Sequence, residues 1–205
     1  KLSLSELNDI LKNNWRGHEK LLCEANANKQ RFGNNLLHPD SIAKEIISAL
    51  TKRINGAKNG RGGVFRTGLF SVDNYLSYGK RTGAGADGRR AGEPISKNLC
   101  AVSGKDLSGV TALMNSVCKL DLKNAPNGAV LDVVLHPSAV RGDDGLNSFY
   151  GLVKGFFAQG GQSVHFNVFS AETLLDAQKH PEKYASLQVR VCGWNAYFTS
   201  LDQVE

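Results

Sequence analysis

An α/β fold, a slice of a β/α barrel preceded by helices, is what this sequence predicts, on three observations. Two apolar segments, Ala129–Leu135 and Gln162–Phe169, read as strands. Between them, Asp143 to Gln159 reads as a helix stopped by Gly160-Gly161, long enough to cross over between parallel strands. A third segment, Leu187 to Val191, follows another helix, and three strands of this kind cannot close a barrel.

The elements follow in order. Ser3-Leu4-Ser5-Glu6 is a capping-box pattern, and Leu4, Leu7, Leu11 and Asn14-Trp15 continue a helical stripe behind it, so a first helix is expected to reach about Asn26. His38-Pro39-Asp40-Ser41 opens a second helix with Ile42, Ile46, Ile47, Leu50 and Ile54 on one face, and Asn55-Gly56 closes it. From Asn55 to Pro94 the chain turns glycine-rich and polar, broken only by Val64-Phe65 and Gly68 to Val72, which predicts a long irregular connection with one short strand. Val110, Leu113, Met114 and Val117 stand at i, i+3, i+4 and i+7 and predict a helix. Ser170 caps the helix that ends at His180-Pro181. The expected organisation is a helical segment 1–60, a partial β/α barrel 61–169 and a final segment 170–205.

Composition narrows the function classes. With 41% hydrophobic residues in 205, one substantial core is expected. The net charge of +6 is scattered among acids, apart from Lys80-Arg81 and Arg89-Arg90, so a solvated surface rather than nucleic-acid binding is expected. No apolar run approaches the length needed to cross a bilayer and no signal peptide opens the chain, which makes the cytoplasm the expected location. Cys23, Cys100, Cys118 and Cys192 are widely spaced and are expected to stay reduced. Because the first residue is not methionine and Glu205 follows no cap, a piece of a longer chain is expected.

Most familiar catalytic patterns fail here. Gly83 to Gly88 satisfies G-x-G-x-x-G, but no hydrophobic strand leads into it and Arg89 to Pro94 cannot begin a dinucleotide-binding helix, so tight turns explain the glycines. No His stands with another His, Cys or carboxylate at ligand spacing, so no metal site is expected. His165 alternates with Val164, Phe166 and Val168, which places it opposite them, toward a barrel interior.

The end of the chain carries the strongest signal. Read from its residues alone, Leu187 to Phe198 is a strand interrupted by Gly193, as a β-bulge or a barrel bend would do. Arg190-Val191-Cys192-Gly193-Trp194 resembles the radical-bearing loop of glycyl-radical enzymes of the pyruvate formate-lyase superfamily. Further blocks resemble the same superfamily in order: Arg61-Gly62-Gly63, Asp87 to Pro94, Thr111-Ala112-Leu113, Gly160-Gly161 before Phe166-Asn167-Val168, and Thr173 to Gln178 with His180-Pro181-Glu182.

That resemblance implies the C-terminal part of a pyruvate formate-lyase-like β/α barrel with a glycyl-radical loop. Gly193 would store a backbone radical, and Arg190, Val191, Cys192, Trp194 and Asn195 would shape its surroundings. Leu135, His136, His165 and Asn167 are candidates to line the substrate cavity. The radical would pass to a cysteine on a loop this chain lacks; Cys192, at the variable position of the motif, does not fill that role. The resemblance implies no bound cofactor. It implies a radical S-adenosylmethionine activase as partner, a small-molecule substrate, the rest of the parent chain, a second copy in a homodimer, and an anaerobic cell. Cys192 and Trp194 in place of serine and tyrosine point toward dehydratase-like members, such as those acting on hydroxyproline or a diol. Formate C-acetyltransferase is the alternative reaction, and a free-standing radical subunit that repairs a damaged enzyme is the alternative role.

Overall fold

A computed structural model describes residues 2–191 and 193–201. Its centre is a layer of two parallel strands, β1 (Val130–Leu135) and β2 (Ser163–Val168), in register from Val130↔Ser163 to Leu135↔Val168. The connection between them is the helix α6 (Gly142–Ala158), the β/α crossover expected from the sequence. Gly160, at φ +94°, ends α6 in a left-handed turn that L residues resist. Gly161 must also be glycine for space, since a Cβ there would lie 2.4 Å from the Phe156 ring.

Strand alternation divides the layer into two faces. Leu131, Val133 and Leu135 bury into a core with Phe156 of α6 and with Leu113, Met114 and Val117 of α5 (Val110–Cys118). Val164 and Phe166 pack on the same side, Phe166 edge-on to Phe149 at 4.8 Å. Asp132, Val134, His165 and Asn167 therefore occupy the opposite face.

The N-terminal helices differ from expectation at one joint. The capping box forms, with the Ser3 amide donating to Glu6 Oε2 at 2.8 Å and the Glu6 amide to Ser3 Oγ at 3.2 Å. The helix it opens, α1 (Leu4–Lys12), then stops, and α2 (Glu19–Ala27) begins anew. Between them Asn14, Trp15 and Gly17 take φ of 53°, 64° and 76°. Burying Trp15 against Ile10 and Leu22 outweighs the helical stripe, and Asn14 is held from afar: the Ala91 amide donates to its side chain at 2.8 Å and Arg90 to its carbonyl at 3.2 Å.

Helix α3 (Leu37–Ile54) has the expected bounds, but the apolar face read from its sequence is not the face that packs, except for Ile47. Ile42, Ile46, Leu50 and Ile54 are between 38% and 56% exposed, whereas Asp40 and Thr51 are buried and Ala43 and Ile47 pack on the core. The reason is Asp40, whose Oδ2 accepts from Lys119 Nζ at 2.8 Å and Ser116 Oγ at 3.1 Å, pinning this face of α3 to the end of α5. The irregular connection also holds a helix the sequence reading missed, α4 (Asn74–Lys80), and in place of the short strand expected there it has two isolated bridges among the described residues, Lys58↔Val64 and Leu69↔Ala129. Gly83 to Gly88 is a loop braced by the buried Arg89, which donates to the carbonyls of Gly83, Arg90 and Glu93.

After α7 (Ala171–Lys179), capped by Ser170 Oγ accepting from the Thr173 amide, the chain does not add a third parallel strand. Strand β3 (Gln188–Val191) turns back on β4 (Trp194–Tyr197) as a separate antiparallel hairpin. Among the described residues no helix is long and apolar enough to cross a membrane.

Candidate functional site

The hairpin pairs Gln188↔Tyr197, Val189↔Ala196, Arg190↔Asn195 and Val191↔Trp194. Val191 stands opposite Trp194, so Gly193 sits at the turn end of the hairpin rather than as a bulge or bend within one strand. Its φ is +116°, a value that a side chain strains. Cys192 lies outside the described residues.

Gly193 is exposed, and apart from its own atoms and its chain neighbours no heavy atom of the described residues lies within 4 Å of where a Cβ would stand. Backbone conformation, rather than crowding within this chain, is what demands glycine there. Around it, Trp194 is 42% exposed and Val191 half-buried, while Arg190 reaches across the ladder to donate to Asn195 Oδ1 at 3.2 Å. Among the described residues of the hairpin, Val189 alone is buried.

The hairpin lies alongside β2 without joining its sheet. Asn167 connects the two: the Arg190 amide donates to Asn167 Oδ1 at 2.8 Å, and Asn167 Nδ2 donates to the Arg190 carbonyl at 2.9 Å. A cavity of about 460 Å³ opens at this seam, lined by Lys97, Val134, Asn167, Gln178, Arg190 and Phe198 among others.

Of the four cavity-lining candidates, the structure brings His165 and Asn167 onto one face and leaves the other two elsewhere. Leu135 points into the core on the α6 side. His136 is exposed beyond β1, where its Nδ1 lies 2.7 Å from Ser138 Oγ and accepts from the Ser138 amide, capping its own turn. Beside His165 stands a polar group the sequence reading did not single out. Asp132 Oδ1 lies 3.2 Å from His165 Nδ1, and Asp132 Oδ2 accepts from Asn98 Nδ2 at 2.5 Å with Lys97 Nζ 4.0 Å away. The signal was present: Asp132 is the one carboxylate in the strand Val130–Leu135. Cys100 donates from Sγ to the Asp132 carbonyl at 3.3 Å, and burial is the main force pushing its thiol pKa up to about 11. Among the described residues no cluster of three or more His, Cys, Asp or Glu is arranged to hold a metal ion.

Residues 95–199, just over half the chain and including the whole hairpin, match the glycine radical family. The chain belongs to the glycine radical family. Residues 1–79 match the pyruvate formate lyase-like family. Relatives include (2S)-3-sulfopropanediol dehydratase of Klebsiella oxytoca, 37% identical over 202 residues, a match covering 96% of this chain and 24% of that protein. Trans-4-hydroxy-L-proline dehydratase of Clostridioides difficile is 31% identical over 204 residues, covering 99% of this chain and 26% of that one. Among solved structures, the glycerol-bound form of the B12-independent glycerol dehydratase from Clostridium butyricum superposes with a TM-score of 0.93 at 39% identity, over 99% of this chain and 26% of the other. This glycine radical chain thus spans about a quarter of the length of the proteins it resembles.

Proposed function

We propose that this chain is the radical-storing portion of a longer glycyl-radical dehydratase, with Gly193 as the residue that holds the unpaired electron. The observation that carries the reading is Gly193 itself, an exposed glycine at the turn end of the β3–β4 hairpin, at φ +116°, inside the stretch that matches the glycine radical family. Loss of one Cα hydrogen atom leaves a planar radical delocalised over the flanking amides. A residue without a Cβ accommodates that planarity and permits close approach by another loop.

In this reading a radical S-adenosylmethionine activase removes the hydrogen atom. Gly193 then regains one from a cysteine thiol in the rest of the parent chain, leaving a thiyl radical that takes a hydrogen atom from substrate. Arg190, Val191, Trp194 and Asn195 form the ladder that carries the turn, and Cys192 occupies the position beside Gly193. The substrate class is a small hydroxylated molecule, on the strength of relatives that are dehydratases. In this reading the chain divides into a helical segment 1–60, a partial β/α barrel 61–169 and a radical-bearing segment 170–205; support for the last boundary is that β2 ends at Val168 and the later strands form a sheet of their own.

The test is electron paramagnetic resonance of the full-length protein after anaerobic activation. A glycine-type doublet is expected in the wild type and none in Gly193→Ala; a doublet that survives that substitution overturns the assignment.

A further inference from the structure

Strand β2 is paired on one side only, by β1, and β3 runs beside it without a ladder. Among the described residues, every hydrogen bond between the hairpin and the β1–β2 sheet is made by the side chain of Asn167. A primary amide carries the same donor and acceptor as a peptide group, so Asn167 stands in for one residue of a missing strand. Both main-chain groups of Arg190 are free to meet it because Arg190↔Asn195 is the kind of antiparallel pair whose N–H and C=O point away from the partner strand.

We infer that Asn167 is a positioning residue: a single-residue latch that holds the hairpin carrying Gly193 against the sheet and sets how often that hairpin lifts away. A full strand ladder would have to break several bonds at once, whereas this junction opens by releasing one side chain. The freed groups then meet water readily, because the seam borders the 460 Å³ cavity. Arg190 is three residues from Gly193 in the chain and pairs with Asn195 next to the last pair of the ladder, so release at Arg190 frees the turn itself. Val189 is the hairpin's one buried apolar anchor, which leaves the latch a large share of the docking.

The inference deepens the radical-storage reading but is measured independently of it. In the full-length protein, hydrogen exchange over residues 188–197 is compared for the wild type, Asn167→Ala and Asn167→Asp. Loss of the two bonds is expected to speed exchange there roughly tenfold while Leu131 to Leu135 of β1 exchange as before. Asn167→Asp keeps an acceptor for the Arg190 amide but turns an anionic oxygen toward the Arg190 carbonyl, so it is expected to open the hairpin as well; it decides the question if Asn167→Ala fails to fold. On activation, a latch variant is expected to acquire its radical several-fold faster and to turn over more slowly, whereas general destabilisation lowers both. Unchanged exchange at 188–197, or equal acceleration in β1, overturns the latch. Absence of a glycine-type doublet in the wild type, by contrast, overturns the radical reading and leaves the exchange result standing.

Discussion

The β1–β2 layer and the β3–β4 hairpin are built from similar short strands and are held by different means. The first is closed on one face by α5 and α6, with Leu131, Val117 and Phe156 at 1% exposure or less. The second buries Val189 and leaves Trp194 and Tyr197 in the open, attached to the layer by Asn167. Apolar burial of the first kind stabilises by several kcal/mol per side chain and gives way only on global unfolding. A two-point side-chain bond is worth about 1 to 3 kcal/mol and can open by itself. Gly193 sits on the second kind of attachment.

Several substitutions would break or sharpen this contrast. Leu131→Ala is expected to lower global stability by about 3 kcal/mol in denaturant titrations, because the site is sealed and relaxes little. Val189→Ala should leave the global midpoint nearly unmoved; a loss as large as that of Leu131→Ala would erase the distinction between the regions. Cys100, behind the layer with its pKa pushed up to about 11, is expected to alkylate at pH 8 about a hundredfold more slowly than a thiol at the ordinary value of 9.0, from its thiolate fraction alone. Because the thiol titrates upward, that gap should close only as pH rises toward 11, and mass spectrometry of iodoacetamide-treated protein follows it. Asp40→Ala strips Lys119 and Ser116 of their shared acceptor and should cost about 2 kcal/mol in the same titrations, less than the loss of a deeply buried partner because Lys119 is 38% exposed. Ser170→Ala, at the cap of α7, is expected to cost about 1 kcal/mol; if the latch governs the hairpin, exchange at 188–197 should change little beside its response to Asn167→Ala.

Much of this was legible in the residues, for reasons of range. Ser3 with Glu6, Ser170 with Thr173, and Gly160-Gly161 act within one helical turn, so their roles can be read from neighbours in the chain. The parallel pairing of β1 and β2 was legible because the helix between them has the length a crossover needs. The motif around Gly193 was legible as a family resemblance, but its hairpin was not: Gln188 to Tyr197 is one β-prone run in which a bulge and a two-residue turn look alike. Asn167 and Asp132 stood in strands as single polar residues, with nothing nearby to say what they would meet.

By itself, the sequence determined the places of α3, α5, α6 and α7 and of the two parallel strands, which residues alternate across the β1–β2 layer, and that position 193 is a glycine in a β-prone run. Those are matters of backbone preference and periodicity, decided over a few residues. Only the tertiary structure decided that Trp15 would leave the helix to be buried, that Asp40 would turn Ile42, Ile46 and Ile54 outward, and that one asparagine would hold the Gly193 hairpin. Each of these balances burial or a paired polar group against local preference, with a partner tens of residues away in the chain or a cluster that exists only once the chain has folded.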